Sequence, residues 1–514
     1  MRKTSAALIA LACMNLVLGN TPARADWREA SSTHFVVYGD ESESTIRTFA
    51  ENLERYHSAL SVMTRWQEAD PSPSNRVTIY SVGSLERVRK LFGDKEAGRY
   101  VAGFYIPRAG ATLAIVPDIT SERMSDWDLP LRSLFHEYAH HFLIGSGSYA
   151  LPRWANEGAA DFFAAVAFDK DGSVSIGRPN PTRLIEKNFV RDVSIGELLT
   201  DSDAAAKKGK GFNGFYAESW MLYHYLTLGD ERKGQIQTYF KAVMAGKSSA
   251  DAAREAFGDL ARLDHEIDAY SRRTKFMTVR IRKEALKSGG VQIRLLSPGE
   301  AASMPLRIRQ RRGVDKEQAA QIAPAMQVLA AKFPGDAVVQ AALAEAEHDT
   351  GNFEASVAAA DAALAIDAKL VNAHVQKCLS LFALADKAQD PKAFAKARAA
   401  LVALNAVEND HPLPLSLYFA SFARQGKAPT PVAIKGLERA VELAPYDQGL
   451  RMTLAMQQLR DGRSADASRN LMPVAYDPHG GKLADLARSY LDRIKANPAW
   501  RGQQLGIDPV ELGE

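Results

Sequence analysis

Within Phe135-His136-Glu137-Tyr138-Ala139-His140-His141, His136 and His140 stand four residues apart, and this spacing restricts what the surrounding chain can be. On a helix they leave the same face one turn apart, so both imidazoles can reach one metal ion, with Glu137 beside them. Leu131, Leu134, Phe135, Tyr138 and Phe142 form an apolar stripe at helical spacing, which predicts a buried helix. Trp154-Ala155-Asn156-Glu157-Gly158-Ala159-Ala160-Asp161 follows, with Pro152 announcing a second helix and Glu157 and Asp161 one turn apart on one face. Glu157 is the natural third ligand. Three protein ligands leave the fourth position of Zn2+ to water, whose pKa then falls toward ~7. Asp161 is placed to hold the second ring nitrogen of His136 or His140. The five-residue motif alone arises by chance often enough to mean little; the stripe and the second helix give it weight.

These residues resemble the gluzincin metallopeptidases, the thermolysin and aminopeptidase-like group, in which HExxH is followed by a glutamate ligand on the next helix and an acidic residue one turn on. The resemblance implies an α+β zincin-like catalytic domain. It also implies His136, His140 and Glu157 as zinc ligands, Glu137 as general base and Asp161 as their outer partner. Sixteen residues separate His140 from Glu157, slightly fewer than in the best-known members, so the loop over 143–151, with Gly145 and Gly147, must be tight.

Further along, the aromatic-rich helix over 215–226 starts with Phe215-Tyr216. Negative charge develops on oxygen in a tetrahedral intermediate, and a phenol donor would stabilise it. Tyr216 is similar in place to the leading tyrosine of the aminopeptidase-like helix, which has this role; Tyr223 and His224 are alternatives, His224 being more ordinarily a packed histidine. Aminopeptidases of this group grip the substrate's free amine with a Gly-x-Met-Glu-Asn stretch. Val101-Ala102-Gly103-Phe104-Tyr105-Ile106-Pro107 offers no such acidic anchor, which favours an endopeptidase.

Residues 1–25 read as a secretory signal: Arg2 and Lys3 form its charged start, residues 6–18 its apolar middle and Ala23-Arg24-Ala25 a cleavage site. The expected location is therefore periplasmic or secreted. Cys13 follows Ala10-Leu11-Ala12, a poor lipoprotein box. The apolar run is short for a bilayer, and no later stretch is apolar enough to cross one. Removing Arg2, Lys3 and Arg24 with the signal leaves 61 basic against 61 acidic residues. That balance gives no reason to expect nucleic acid, and the charges are too scattered for a polybasic membrane patch. Cys378 is then the only cysteine, so no intramolecular disulfide can form; a chain of this length can rely on its core.

Residues 26–118 alternate strand and helix, with strands expected over 34–38, 76–82, 101–106 and 112–116 and helices over 44–63 and 85–92. The last two strands read as a hairpin. In gluzincins a small mixed sheet of this kind leads into the HExxH helix and offers an edge to an extended peptide, which main-chain hydrogen bonds would hold. Asp169-Lys170-Asp171-Gly172 lacks the ligand ladder of a calcium loop and reads as a turn. Residues 119–275 form the helical HExxH part of the catalytic domain, and a flexible basic loop, Lys207-Lys208-Gly209-Lys210-Gly211, precedes the aromatic helix. Residues 276–314 read as a connector with two strands, ending in a solvated linker that includes Arg307-Ile308-Arg309-Gln310-Arg311-Arg312.

From 315 to 497 the chain is alanine-rich and helical, with turns at Phe333-Pro334-Gly335-Asp336, Ile366-Asp367, Asp410-His411-Pro412, Ala444-Pro445-Tyr446-Asp447 and Tyr476-Asp477-Pro478; a tail, 498–514, follows. This segment resembles degenerate tetratricopeptide repeats, which imply an all-α solenoid with a concave surface for an extended segment or partner protein. Two functions are open to such a chain. One is an exported zinc metallopeptidase acting on a peptide or protein substrate. The other is an envelope scaffold whose zincin-like domain is idle, but such a domain should have lost a ligand or its base, and here all are present.

Overall fold

The computed structural model describes residues 26–67, 69–93, 101–120, 128–146, 151–190, 193–200, 202–207 and 214–502. The signal segment, residues 208–211 of the basic loop, residues 147–150 of the 143–151 loop and the end of the tail lie outside these residues.

Strands β1 (Arg28–Ser31), β2 (Phe35–Gly39), β3 (Val77–Ser81), β4 (Phe104–Ile106) and β5 (Leu113–Val116) alternate with helices α1 (Glu43–Thr64) and α2 (Leu85–Phe92). They form a mixed sheet of order β4-β5-β3-β2-β1-β9, whose last member, β9 (Gln292–Leu295), returns from far along the chain to pair antiparallel with β1. β2, β3 and β5 run parallel, while β4 turns back antiparallel on β5 as the expected hairpin. Side chains alternate across the sheet. On one face Phe35, Val37, Ile79 and Ala114 pack under α1 and the histidine helix, against Phe49, Leu53, Tyr56, Phe135 and Tyr138. On the other, Tyr80, Leu113 and Ile115 are covered by Val88 of α2 and by Met304 and Ile308.

Those last two residues correct the linker reading. Residues Pro298–Arg312 form a helix, started by a Ser297–Glu300 capping box, that buries Ile308 and Gln310 within the basic run. Arginines that read as solvated in one dimension share a helix with apolar residues whose positions, 304 and 308, lie one turn apart.

The remaining elements before the helical repeats are α3 (Leu129–Gly145), α4 (Arg153–Ala164), a small antiparallel sheet of β6 (Val166–Phe168), β7 (Val174–Ile176) and β8 (Val279–Ile281), and helices α5 (Pro181–Phe189), α6 (Ile195–Thr200), α7 (Ser202–Lys207), α8 (Phe215–Leu228), α9 (Gln235–Met244), α10 (Ser249–Phe257) and α11 (Leu260–Ser271). The 169–172 segment is the β6–β7 turn, with Gly172 N–H donating to Asp169 O. Asp128 caps α3 by accepting from Leu131 N–H, with Pro130 in the first turn. α4 lies close to α8 because Gly158 has no Cβ; one placed there would collide with Ser219 O.

Lys187 of α5 donates to Glu218 of α8 (2.6 Å) and Asp268 of α11 (2.9 Å), fixing three helices together. Burial pushes the Glu218 carboxyl up to about 7 even though Lys187 opposes it. Lys187→Met should therefore lower stability by about 3 kcal/mol, because it strands a buried carboxylate. Thermal unfolding checks this, and an unchanged midpoint would show that the pair contributes nothing.

Helix pairs follow: α12 (Pro298–Arg312) with α13 (Lys316–Lys332), α14 (Ala337–Asp349) with α15 (Phe353–Ile366), α16 (Val371–Ala388) with α17 (Pro391–Val407), α18 (Pro412–Ala423) with α19 (Pro431–Leu443), α20 (Gln448–Arg460) with α21 (Ser464–Ala475), and a final α22 (Lys482–Ala496). Every expected turn falls between helices. Buried Ala341, Ala344, Ala359, Ala360 and Ala363 let adjacent helices approach without bulky residues.

The turns between pairs lie against the N-terminal α/β part. Glu408 accepts from Ser74 N–H (2.8 Å) and Oγ (2.7 Å), Asp410 O accepts from Ser72 and Asn75, and Asp447 Oδ2 accepts from Ala109 N–H in the β4–β5 turn (3.0 Å). Gly110, at φ 68, abuts the His411 ring so closely that a Cβ would collide with it.

Candidate metal centre

α3 projects His136 and His140 toward α4, which supplies Glu157. The His136 and His140 Nε2 atoms are 3.1 Å apart, and they lie 3.2 and 3.5 Å from Glu157 Oε2. Ligand atoms around one tetrahedral zinc at ~2.0–2.1 Å stand roughly 3.3 Å from one another, so this triangle has the right size. Glu157 is fully buried, and neither of its oxygens has a hydrogen-bond donor. Two imidazole nitrogens and a buried carboxylate this close together need a shared cation, a proton or a metal ion, to offset their repulsion. The residues thus fit a divalent metal.

Asp161 faces the outer nitrogen of His136, Nδ1···Oδ1 3.2 Å, which orients Nε2 toward the centre. Arg183 of α5 holds Asp161 in turn, with Nε donating to Oδ2 at 2.7 Å, and its Nη1 donates to Glu186 at 2.7 Å. Burial disfavours a charge on His136, yet Asp161 and Glu157 outweigh it and push its pKa up to about 10. The surroundings favour a positive charge at this point, which a proton or a metal ion can supply. Burial alone would raise the Glu157 carboxyl, but His136 and His140 bring it well below its ordinary value.

Glu137 lines a cavity of about 290 Å³ together with His136, Asp161, Arg183 and Tyr216. Its carboxyl, which burial would raise, is drawn down to about 2 by His479, His136 and His140. Tyr216 stands at the start of α8 beneath the Arg183 guanidinium, 4.9 Å from the ring centroid. The nearby Glu157 charge, helped by burial, pushes its phenol up to about 12, so it remains a donor.

The two alternatives lie elsewhere. His224 is fully buried, with Nε2 on Gly177 O (2.9 Å) and Nδ1 on Tyr270 OH (2.9 Å), and is a structural histidine. Tyr223 packs on Phe162, 5.4 Å between ring centroids, and does not line the cavity. His141, next to the motif, packs on Tyr446 at 4.2 Å, and burial holds it neutral, its pKa lowered to about 3.

Sequence reasoning missed three residues. Arg183 begins a proline-started helix that carries no chemical motif. Asn156 is fully buried and donates from Nδ2 to Leu151 O and to Tyr476 O, both 3.1 Å. His479, in the α21–α22 turn, places Nε2 3.4 Å from Glu137 Oε2, with its ring centroid 5.5 Å from that of His140. Of these, only Asn156 had a nearby signal, its place beside Glu157.

Compared with known proteins, the chain matches no protein-family model and no curated protein. Its neighbours among solved structures are TPR-like helical-repeat proteins. It is similar to a thermophilic TPR protein of Thermus thermophilus, with 17% identity over 37% of this chain and 98% of that one and a TM-score of 0.32. It is also similar to the MamA RS-1 ArsTM double mutant, with 15% identity over 37% of this chain and 95% of that one and a TM-score of 0.28. No helix among the described residues is long and apolar enough to cross a membrane.

Proposed function

We propose that the chain is a zinc-dependent metallopeptidase of the gluzincin type that hydrolyses peptide bonds, most simply as an exported endopeptidase. The observation that carries this reading is the convergence of two imidazole nitrogens and one undonated buried carboxylate at 3.1–3.5 Å, beside the Glu137 carboxylate. His136, His140 and Glu157 would hold the ion, and zinc bound there would acidify a water and polarise a carbonyl near neutral pH.

The chain's own residues divide the remaining work. Glu137, a carboxylate facing the cavity, accepts the proton of the attacking water and returns it to the leaving amine. Tyr216, still protonated, donates toward the oxygen on which charge develops. Asp161 and Arg183 keep His136 in the tautomer that points its lone pair inward. The terminal strand β4 offers main-chain groups to an extended substrate, and the helical repeats bind the substrate or a partner protein.

The test is metal removal. The purified chain should carry about one zinc, and 1,10-phenanthroline should stop cleavage of denatured casein, which added zinc restores. Cleavage that survives full zinc removal would end this reading, as would a folded chain that takes up no zinc.

A further inference from the structure

The helical repeats reach the catalytic part through three successive turns, and the third ends at the metal centre. That turn is firmly built. Asp477 accepts from His479 N–H (2.9 Å) and Gln448 Nε2 (2.5 Å), and Pro478 is buried. Gly480 and Gly481 take φ 67 and 104, a reversal that side chains resist, and lead directly into α22. Tyr476 O accepts from Asn156, the residue before Glu157, so the turn is fastened to the ligand helix. Tyr446, from the preceding turn, covers His141 on the HExxH helix. Together with the bonds to residues 72–75 and Ala109, these contacts spread along the interface, unlike a lid that touches at one point.

On this turn sits His479, whose imidazole is half open to solvent (55%) and whose Nε2 lies 3.4 Å from Glu137 Oε2. We propose that the repeat domain completes the active site, with His479 as a positioning residue that holds Glu137 in one orientation through the close approach of Nε2 to Oε2. The role needs a donor on Nε2, whatever the ring's charge. Freed from it, a partly exposed glutamate would sample several rotamers, and displacing a base by about 1 Å costs on the order of a hundredfold in rate. The solenoid would then be a wall of the cleft as well as a binding surface.

This inference rests on the peptidase reading, so the experiment separates the two. Zinc content, kcat and KM on a fluorogenic peptide library, and crystal structures are compared for the full wild-type chain, His479→Ala and His479→Gln. The alanine variant should keep its zinc and its KM and lose kcat by about tenfold or more. Glutamine, which retains an N–H donor, should recover most of it. In the crystals the Glu137 carboxylate should lose its single orientation in the alanine variant and regain it with glutamine. An unmoved carboxylate in His479→Ala overturns the proposal, as does a kcat that is unchanged or higher; a higher kcat would make the turn an obstruction. If the wild type binds no zinc, the peptidase reading fails, and the Glu137 orientation still decides the role of His479.

Discussion

Replacing Glu137 with glutamine will leave zinc bound and reduce peptide hydrolysis on the order of a thousandfold, about 4 kcal/mol of barrier. Glutamine keeps the size and planarity of the side chain, so the cavity it lines with His136 and Tyr216 keeps its shape. What it loses is the ability to take a proton from water and pass it on. His136, His140 and Glu157 are untouched, and zinc stoichiometry should match the wild type. Paired zinc analysis and kcat measurement give the result. Retained turnover in the glutamine variant would remove Glu137 from the mechanism, and lost zinc would mean that the residue serves the ion rather than the water.

Glu157→Gln should act on the other half of the chemistry, lowering zinc affinity on the order of a thousandfold, again about 4 kcal/mol. The carboxylate is fully buried with no donor on either oxygen, so its negative charge has no evident use except to offset a cation. An amide of the same shape keeps the packing under α8 but brings N–H groups and no charge. Competition against a chelating dye measures the affinity. Thermal unfolding provides an independent check, since zinc at a hundredfold over its dissociation constant should stabilise the wild type by about 2.7 kcal/mol and the variant hardly at all. Equal affinities in the two chains would dismiss Glu157 as a ligand.

Much of this centre was legible because it is local. His136, Glu137 and His140 share one helix face through the 3.6-residue period, and Glu157 and Asp161 share another through the same period. Two such faces on consecutive helices have few ways to pack, and the apolar stripe around Phe135 and Tyr138 decides which side turns inward. Tyr216 could be placed for a related reason, standing at the start of a helix whose other aromatics are core. The turns of the repeats were readable from proline, glycine and aspartate at helix ends.

Failures came where the deciding neighbour is distant. The basic run at 307–312 reads as solvated, but sheet residues Tyr80 and Ile115 bury Ile308 from the other side. Arg183 carries no local mark at all, since its importance comes from meeting Asp161 across two helices.

The amino-acid order by itself determined which side chains share a helical face, where helices stop, and therefore the set of groups able to grip one cation. Only the tertiary structure decided that the α21–α22 turn closes on that centre and sets His479 against Glu137. The physical reason is range. Helical periodicity and capping act over a few residues, whereas the approach of two segments more than three hundred residues apart depends on the summed packing of every helix pair between them.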